Sequence, residues 1–129
     1  MTFYSTLCYD VPKGSDIVDI NSWRTQLKKG FLEYSILHIL QQQDSYGYLI
    51  LSKLNEYALL ATTESTVYPI LRKLQKSGYL AAEWRDAEQE GLPPRKYYTL
   101  TDLGKAGLKV MEQDWDNLKT IISKLEMKG

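Results

Sequence analysis

The chain has little of what most catalytic and metal sites are built from: among 129 residues there is one cysteine, Cys8, and one histidine, His38. A lone cysteine excludes an intrachain disulfide framework, and with neither a His/Cys pairing nor an EF-hand spacing no metal site is expected. The sequence also lacks a glycine-rich phosphate loop and a serine in a nucleophile elbow, so catalysis is not expected and no cofactor is implied. No apolar run approaches the roughly 20 residues of a membrane span. The first fourteen residues have neither the basic opening nor the apolar segment of a secretory signal, which together point to a cytoplasmic protein with no membrane partner. Charge of one sign is missing too, since 16 Lys plus Arg balance 16 Asp plus Glu. Any affinity for nucleic acid must therefore come from local charge.

What the chain does have is periodicity. Residues 1–21 show no sustained period and read as an arm. Residues 22–42 read as a helix with two apolar stripes, one of Leu32, Ile36, Ile39 and Leu40, the other of Leu27, Phe31, Tyr34 and His38. Two stripes exceed what one core contact needs, so this helix is expected to face a second partner. A second helix over 46–57, capped by Ser45, buries Gly47, Ile50, Leu51 and Leu54. A third runs from a cap at Thr62 or Thr63 to Ser77 with Val67, Ile70, Leu71 and Leu74 inward, and Pro69 is expected to make its early turns irregular. Gly78 ends it. Residues 79–85 and 95–100 alternate as the strands of a hairpin, the first placing Leu80, Ala82 and Trp84 on one face and the second Lys96, Tyr98 and Leu100. Thr101 caps a last helix in which Leu108, Met111, Trp115, Leu118, Ile122 and Leu125 recur at heptad spacing, the pattern of a dimer seam.

Helix, helix, turn, helix, hairpin is the plan of a winged helix-turn-helix, whose third helix enters a major groove while the hairpin reaches the backbone beside it. Local charge agrees. Residues 65–80 carry Arg72, Lys73 and Lys76 with no acid, and the returning wing strand adds Arg95 and Lys96. Cations there displace counterions from phosphates, while Ser65, Thr66 and Tyr68 donate hydrogen bonds to phosphates or base edges. Tyr46 is a further phosphate donor, with core packing as its alternative. The same cations on a single helix would read as a solvated basic face; two basic elements in this order favour DNA. The acidic turn of Glu83, Asp86, Glu88 and Glu90 is expected to stay away from phosphate. Trp115 is bulky for a seam of Leu, Ile and Met, and either lines a pocket or packs against the spare stripe of the first helix.

The run from Ser65 to Leu74, followed by Gly78-Tyr79-Leu80, Pro94-Arg95-Lys96-Tyr97-Tyr98 and Leu100-Thr101, together with Tyr46-Gly47-Tyr48, resembles the signature of PadR-like transcriptional regulators from about residue 23 to 126. The single C-terminal helix resembles the smaller subgroup of that family, and Trp115 with Ile121, Ile122, Leu125 and Glu126 is similar to a multidrug-binding repressor within it. The resemblance implies a homodimer on a palindromic double-stranded operator. It also implies a pore at the dimer interface where planar aromatic compounds stack on Trp115 near Phe31, Tyr34, His38 and Met111. Lys119 stands where an acid one turn after the tryptophan would favour cationic drugs, so anionic or neutral aromatics come into question, with Glu33 or Glu112 as compensating acids.

The expected fold is thus mainly α with a small β-hairpin: an arm over 1–21, a winged helix-turn-helix over 22–100 and a dimerisation helix over 101–129. The expected function is DNA-bound repression relieved by an aromatic effector. The alternatives are a repressor without a ligand pore and a protein-interaction module using the same fold.

Overall fold

A computed structural model describes residues 19–127. Cys8 and most of the expected arm lie outside them, while residues 20 and 21 belong to the first helix rather than to an arm.

Helix α1 spans Ile20–Gln42, started by Asp19, whose carboxylate accepts from the Asn21 N–H at 3.0 Å. Its first half is largely exposed; its second half buries Leu32, Ile36, Leu37 and Leu40. Leu37 falls between the two expected stripes, and the helix buries more of its circumference than either stripe alone implies. Helix α2, Gly47–Leu54, is shorter than expected. Asn55 closes it, its amide donating to Leu51 O while its carbonyl takes the Thr62 N–H, and a 3-10 turn, Ala58–Leu60, follows.

Ser45 is not a helix cap. It is fully buried in a two-residue strand β1, Ser45–Tyr46, its hydroxyl has no hydrogen-bond partner among the described residues, and Tyr46 occupies the cap position of α2 without a side-chain bond. Backbone pairing with a distant strand has overridden the local capping preference, because a strand of two residues carries no periodicity to read.

Helix α3, Glu64–Lys76, begins at Thr63, whose carbonyl takes the N–H groups of Thr66 and Val67. The Thr63 hydroxyl shares a hydrogen bond with Ser65 Oγ instead of capping. Pro69 lies inside the helix, which continues through it with Val67, Leu71 and Leu74 buried and Ile70 packed beside them. Gly78, at φ +83°, takes the left-handed turn that lets Tyr79 N–H reach back to Leu74 O.

Strands β2, Leu80–Arg85, and β3, Arg95–Leu100, pair antiparallel from Leu80↔Leu100 to Arg85↔Arg95. The expected hairpin is therefore present, widened to three strands by β1 on the other edge of β3, in the order β1-β3-β2. Helix α4, Asp102–Met127, is capped by Thr101, whose hydroxyl accepts the Gly104 N–H at 3.0 Å and lies 2.6 Å from Gly78 O. A β-carbon at Gly104 would overlap the Tyr79 carbonyl oxygen. That close approach brings Leu108 into the core.

Leu108 is thus a correction to the expected seam. It is 0% exposed within its own chain, leaving no surface for a partner. From Gln113 to Met127 every residue of α4 is exposed, among them Leu118, Ile121, Ile122 and Leu125. No helix among the described residues is long and apolar enough to cross a membrane.

Candidate nucleic-acid interface

Helix α3 is seated on α2 through one close contact. The ring of Tyr68 covers Gly47, and a β-carbon at position 47 would overlap it. Tyr68, expected to reach outward, is half-buried by this contact. With Val67, Leu71 and Leu74 inward, helical spacing turns Ser65, Thr66, Pro69, Arg72, Lys73 and Lys76 outward, and all six are exposed.

The outward face of α3 and the β3 strand meet in a groove of about 810 Å³ whose walls include Pro69, Arg72, Lys73, Lys76 and Lys96 and, among the described residues, no carboxylate. The cations around it are not equivalent. Lys73 is held 3.2 Å from Glu33 on α1, whereas Arg72, Lys76, Arg95 and Lys96 make no ion pair among the described residues. Arg85, on the wing but expected in no role, is neutralised by Asp44 at 2.9 Å and Glu83 at 2.7 Å.

Aromatic rings order the wing cations. The Arg95 guanidinium lies 4.4 Å over the Tyr46 ring, Tyr46 meets Tyr97 edge-on at 5.3 Å, and Lys96 Nζ stands 5.7 Å from the Tyr98 ring centre. Tyr46 is therefore a platform for the Arg95 guanidinium. Burial pushes the Tyr98 hydroxyl above its usual pKa, helped by neighbouring Tyr68 and opposed by Arg72. Asp86, Glu88 and Glu90 are exposed on the wing loop, and Glu88 lines a further groove with Asp44, Tyr46 and Arg95. Among the described residues no group of three potential ligands is placed to hold a metal.

The second expected cluster is only partly assembled. Phe31, Tyr34 and His38 stack edge-to-face in a row along α1, at 6.0 and 4.5 Å between centroids. They line a groove of about 500 Å³ together with Ile39, Leu54, Tyr57 and Leu60. Trp115 touches the end of that row, perpendicular to Phe31 at 5.0 Å, and is not part of the groove wall. Met111 packs against the core. Lys119 lies 5.7 Å from the Trp115 ring centre and 3.2 Å from Asp116. Burial, then Glu112 and Asp116, raises the Tyr34 pKa, so acids of α4 do stand near this row, while Glu33 is engaged by Lys73.

A helix seated by its apolar face, a basic outer face and a three-stranded wing define a winged helix-turn-helix DNA-binding protein. The chain belongs to the transcriptional regulator PadR-like family, whose pattern it matches over residues 36–110. It is a transcription regulator rather than an enzyme. The structure of a PadR-like transcription factor from Bacteroides fragilis is 36% identical, with a TM-score of 0.67, covering 81% of this chain and 98% of that one. A PadR-like transcriptional regulator from Bacillus cereus is 34% identical, with a TM-score of 0.69, covering 78% and 95%. A Lysinibacillus sphaericus protein is 32% identical over 108 residues, covering 82% of this chain and 96% of the relative.

Proposed function

We propose that this regulator is a cytoplasmic, homodimeric repressor. Residues 22–100 bind operator DNA, and 101–129 join two copies so that two α3 helices meet successive major grooves of a palindromic site. The observation that carries the DNA contact is the carboxylate-free groove shared by α3 and the wing, with Arg72, Lys76 and Lys96 on its walls. Ser65, Thr66 and the Tyr68 hydroxyl serve base edges or phosphates from the same helix. Arg95, stacked on Tyr46, and Lys96 hold backbone phosphates from the wing, and Lys73, shared with Glu33, contributes less. The dimer contact is supported by the exposed Leu118, Ile122 and Leu125 of α4, a row too apolar to favour solvent along about two turns. Binding of a duplex from the chain's own promoter region, tighter than that of an unrelated duplex at the same salt, is the test. Equal, weak binding to both would contradict it.

The effector portion of this reading places a planar neutral or anionic aromatic between subunits, against Trp115, Phe31, Tyr34 and His38, with Met111 and Lys119 at its edge. A ligand that binds one spacing of the two α3 helices better than the other shifts the dimer between them by that difference in affinity. One observation favours a second reading, repression without an effector. The Trp115 indole already has Phe31 edge-on against it and is only 36% exposed, as a packing residue would be.

A further inference from the structure

The β2–β3 register places Trp84 directly opposite Lys96, on the same face as the pairs Ala82↔Tyr98 and Leu80↔Leu100. The inner part of that face is spent on the core, where Leu80, Tyr98 and Leu100 are buried. At its outer end Trp84 is 70% exposed, and among the described residues its ring stacks on no aromatic and carries no cation. An indole left in water forgoes a large apolar contribution, more than any other side chain of the wing could supply.

Its surroundings are specific. Trp84 forms one wall of a cleft of about 380 Å³ between α3 and the wing, whose other walls include Tyr46, Tyr68, Arg72, Arg95 and Lys96. Among the described residues no carboxylate lines this cleft. The acids of the wing lie outside it: Glu83 is tied to Arg85, and Glu88 and Asp44 line an adjoining groove that shares Tyr46 and Arg95 with the cleft. The cleft thus offers one flat apolar wall and three cations without an ion pair among the described residues, a pattern complementary to a chain that alternates apolar rings with single negative charges. The deoxyribose-phosphate backbone of duplex DNA is such a chain.

We propose that Trp84 is a DNA contact of the wing. Its indole covers a deoxyribose of the strand whose flanking phosphates are held by Arg72, Arg95 and Lys96. This rests on the DNA-binding reading above and adds to it an apolar, sequence-independent component, which releases no counterions and so does not depend on salt as the cationic contacts do.

The test is duplex binding by wild type, Trp84→Ala, Trp84→Phe and Lys96→Ala across a salt series, with thermal unfolding to establish that each variant is folded. Trp84→Ala is expected to lose about tenfold in affinity for operator and unrelated duplex alike, with the slope of log affinity against log salt unchanged. Trp84→Phe recovers most of that loss because a ring remains. Lys96→Ala instead flattens the slope by about 0.9. If wild type binds, Lys96→Ala flattens the slope and Trp84→Ala binds as wild type does, the Trp84 assignment is overturned and the DNA-binding reading stands. If wild type binds no duplex at low salt, both are overturned.

Discussion

Gly47 and Tyr68 are in contact so close that position 47 has no room for a β-carbon. This contact locks α2 to α3 and fixes the angle at which Arg72 and Lys76 leave the body. Gly104 stands in the same relation to the Tyr79 carbonyl, at the junction that docks α4. A tyrosine ring can swing aside, whereas a backbone carbonyl in a strand turn cannot. Gly104→Ala is therefore expected to cost about 3 kcal/mol and Gly47→Ala about 1 kcal/mol in urea unfolding. Gly47→Ala also weakens DNA binding through the displaced α3. The reverse order of destabilisation would contradict these packing relations.

Thr101 links the wing to α4 through its hydroxyl, which accepts from Gly104 N–H and approaches Gly78 O at 2.6 Å. Thr101→Val keeps the shape and removes both interactions, at an expected cost of about 1 to 2 kcal/mol. Thr101→Ser is expected to retain most of the stability. Equal midpoints for Thr101→Val and wild type would show that the cap contributes nothing.

The two ends of the α4 apolar row are expected to separate by phenotype. Leu108→Ala opens a cavity in the core and costs about 2 to 5 kcal/mol. Paired Ile122→Ser and Leu125→Ser substitutions touch only exposed positions, so they leave the secondary structure intact and shift sedimentation toward the monomer. A double variant that sediments as wild type would remove α4 from the dimer contact.

Trp115 divides the effector reading from the packing reading. Binding of planar aromatic compounds, followed by calorimetry, is expected to be lost in Trp115→Ala and weakened in Phe31→Ala. Equal affinity in wild type and Trp115→Ala would leave Trp115 as a packing residue.

The sequence was legible wherever a period ran long enough. The four helices, the two wing strands, the left-handed turn at Gly78 and the cap at Thr101 follow from spacing and local chemistry alone. The failures have physical causes. Strand β1 is two residues long and formed by a partner fifty residues away, so Ser45 reads locally as a cap. Leu108 continues the spacing of the exposed row because a helix side presented to its own core and one presented to a second copy obey the same period. Trp84 hides in the alternation of a strand whose inner end is core, and only the register shows where core gives way to solvent. Which cations are spent, as Lys73 is on Glu33, depends on contacts forty residues apart that no local pattern encodes.

In the proposed complex the face formed by α3 and the wing binds DNA through Arg72, Lys76, Arg95 and Lys96, which make no ion pair among the described residues. The most direct measurement is the salt dependence of operator affinity for wild type, Arg72→Ala and Lys73→Ala. Arg72→Ala is expected to lower affinity and flatten the slope by about 0.9, while Lys73→Ala, already shared with Glu33, changes both less. An Arg72→Ala protein that is folded and binds with wild-type affinity and slope would contradict the account.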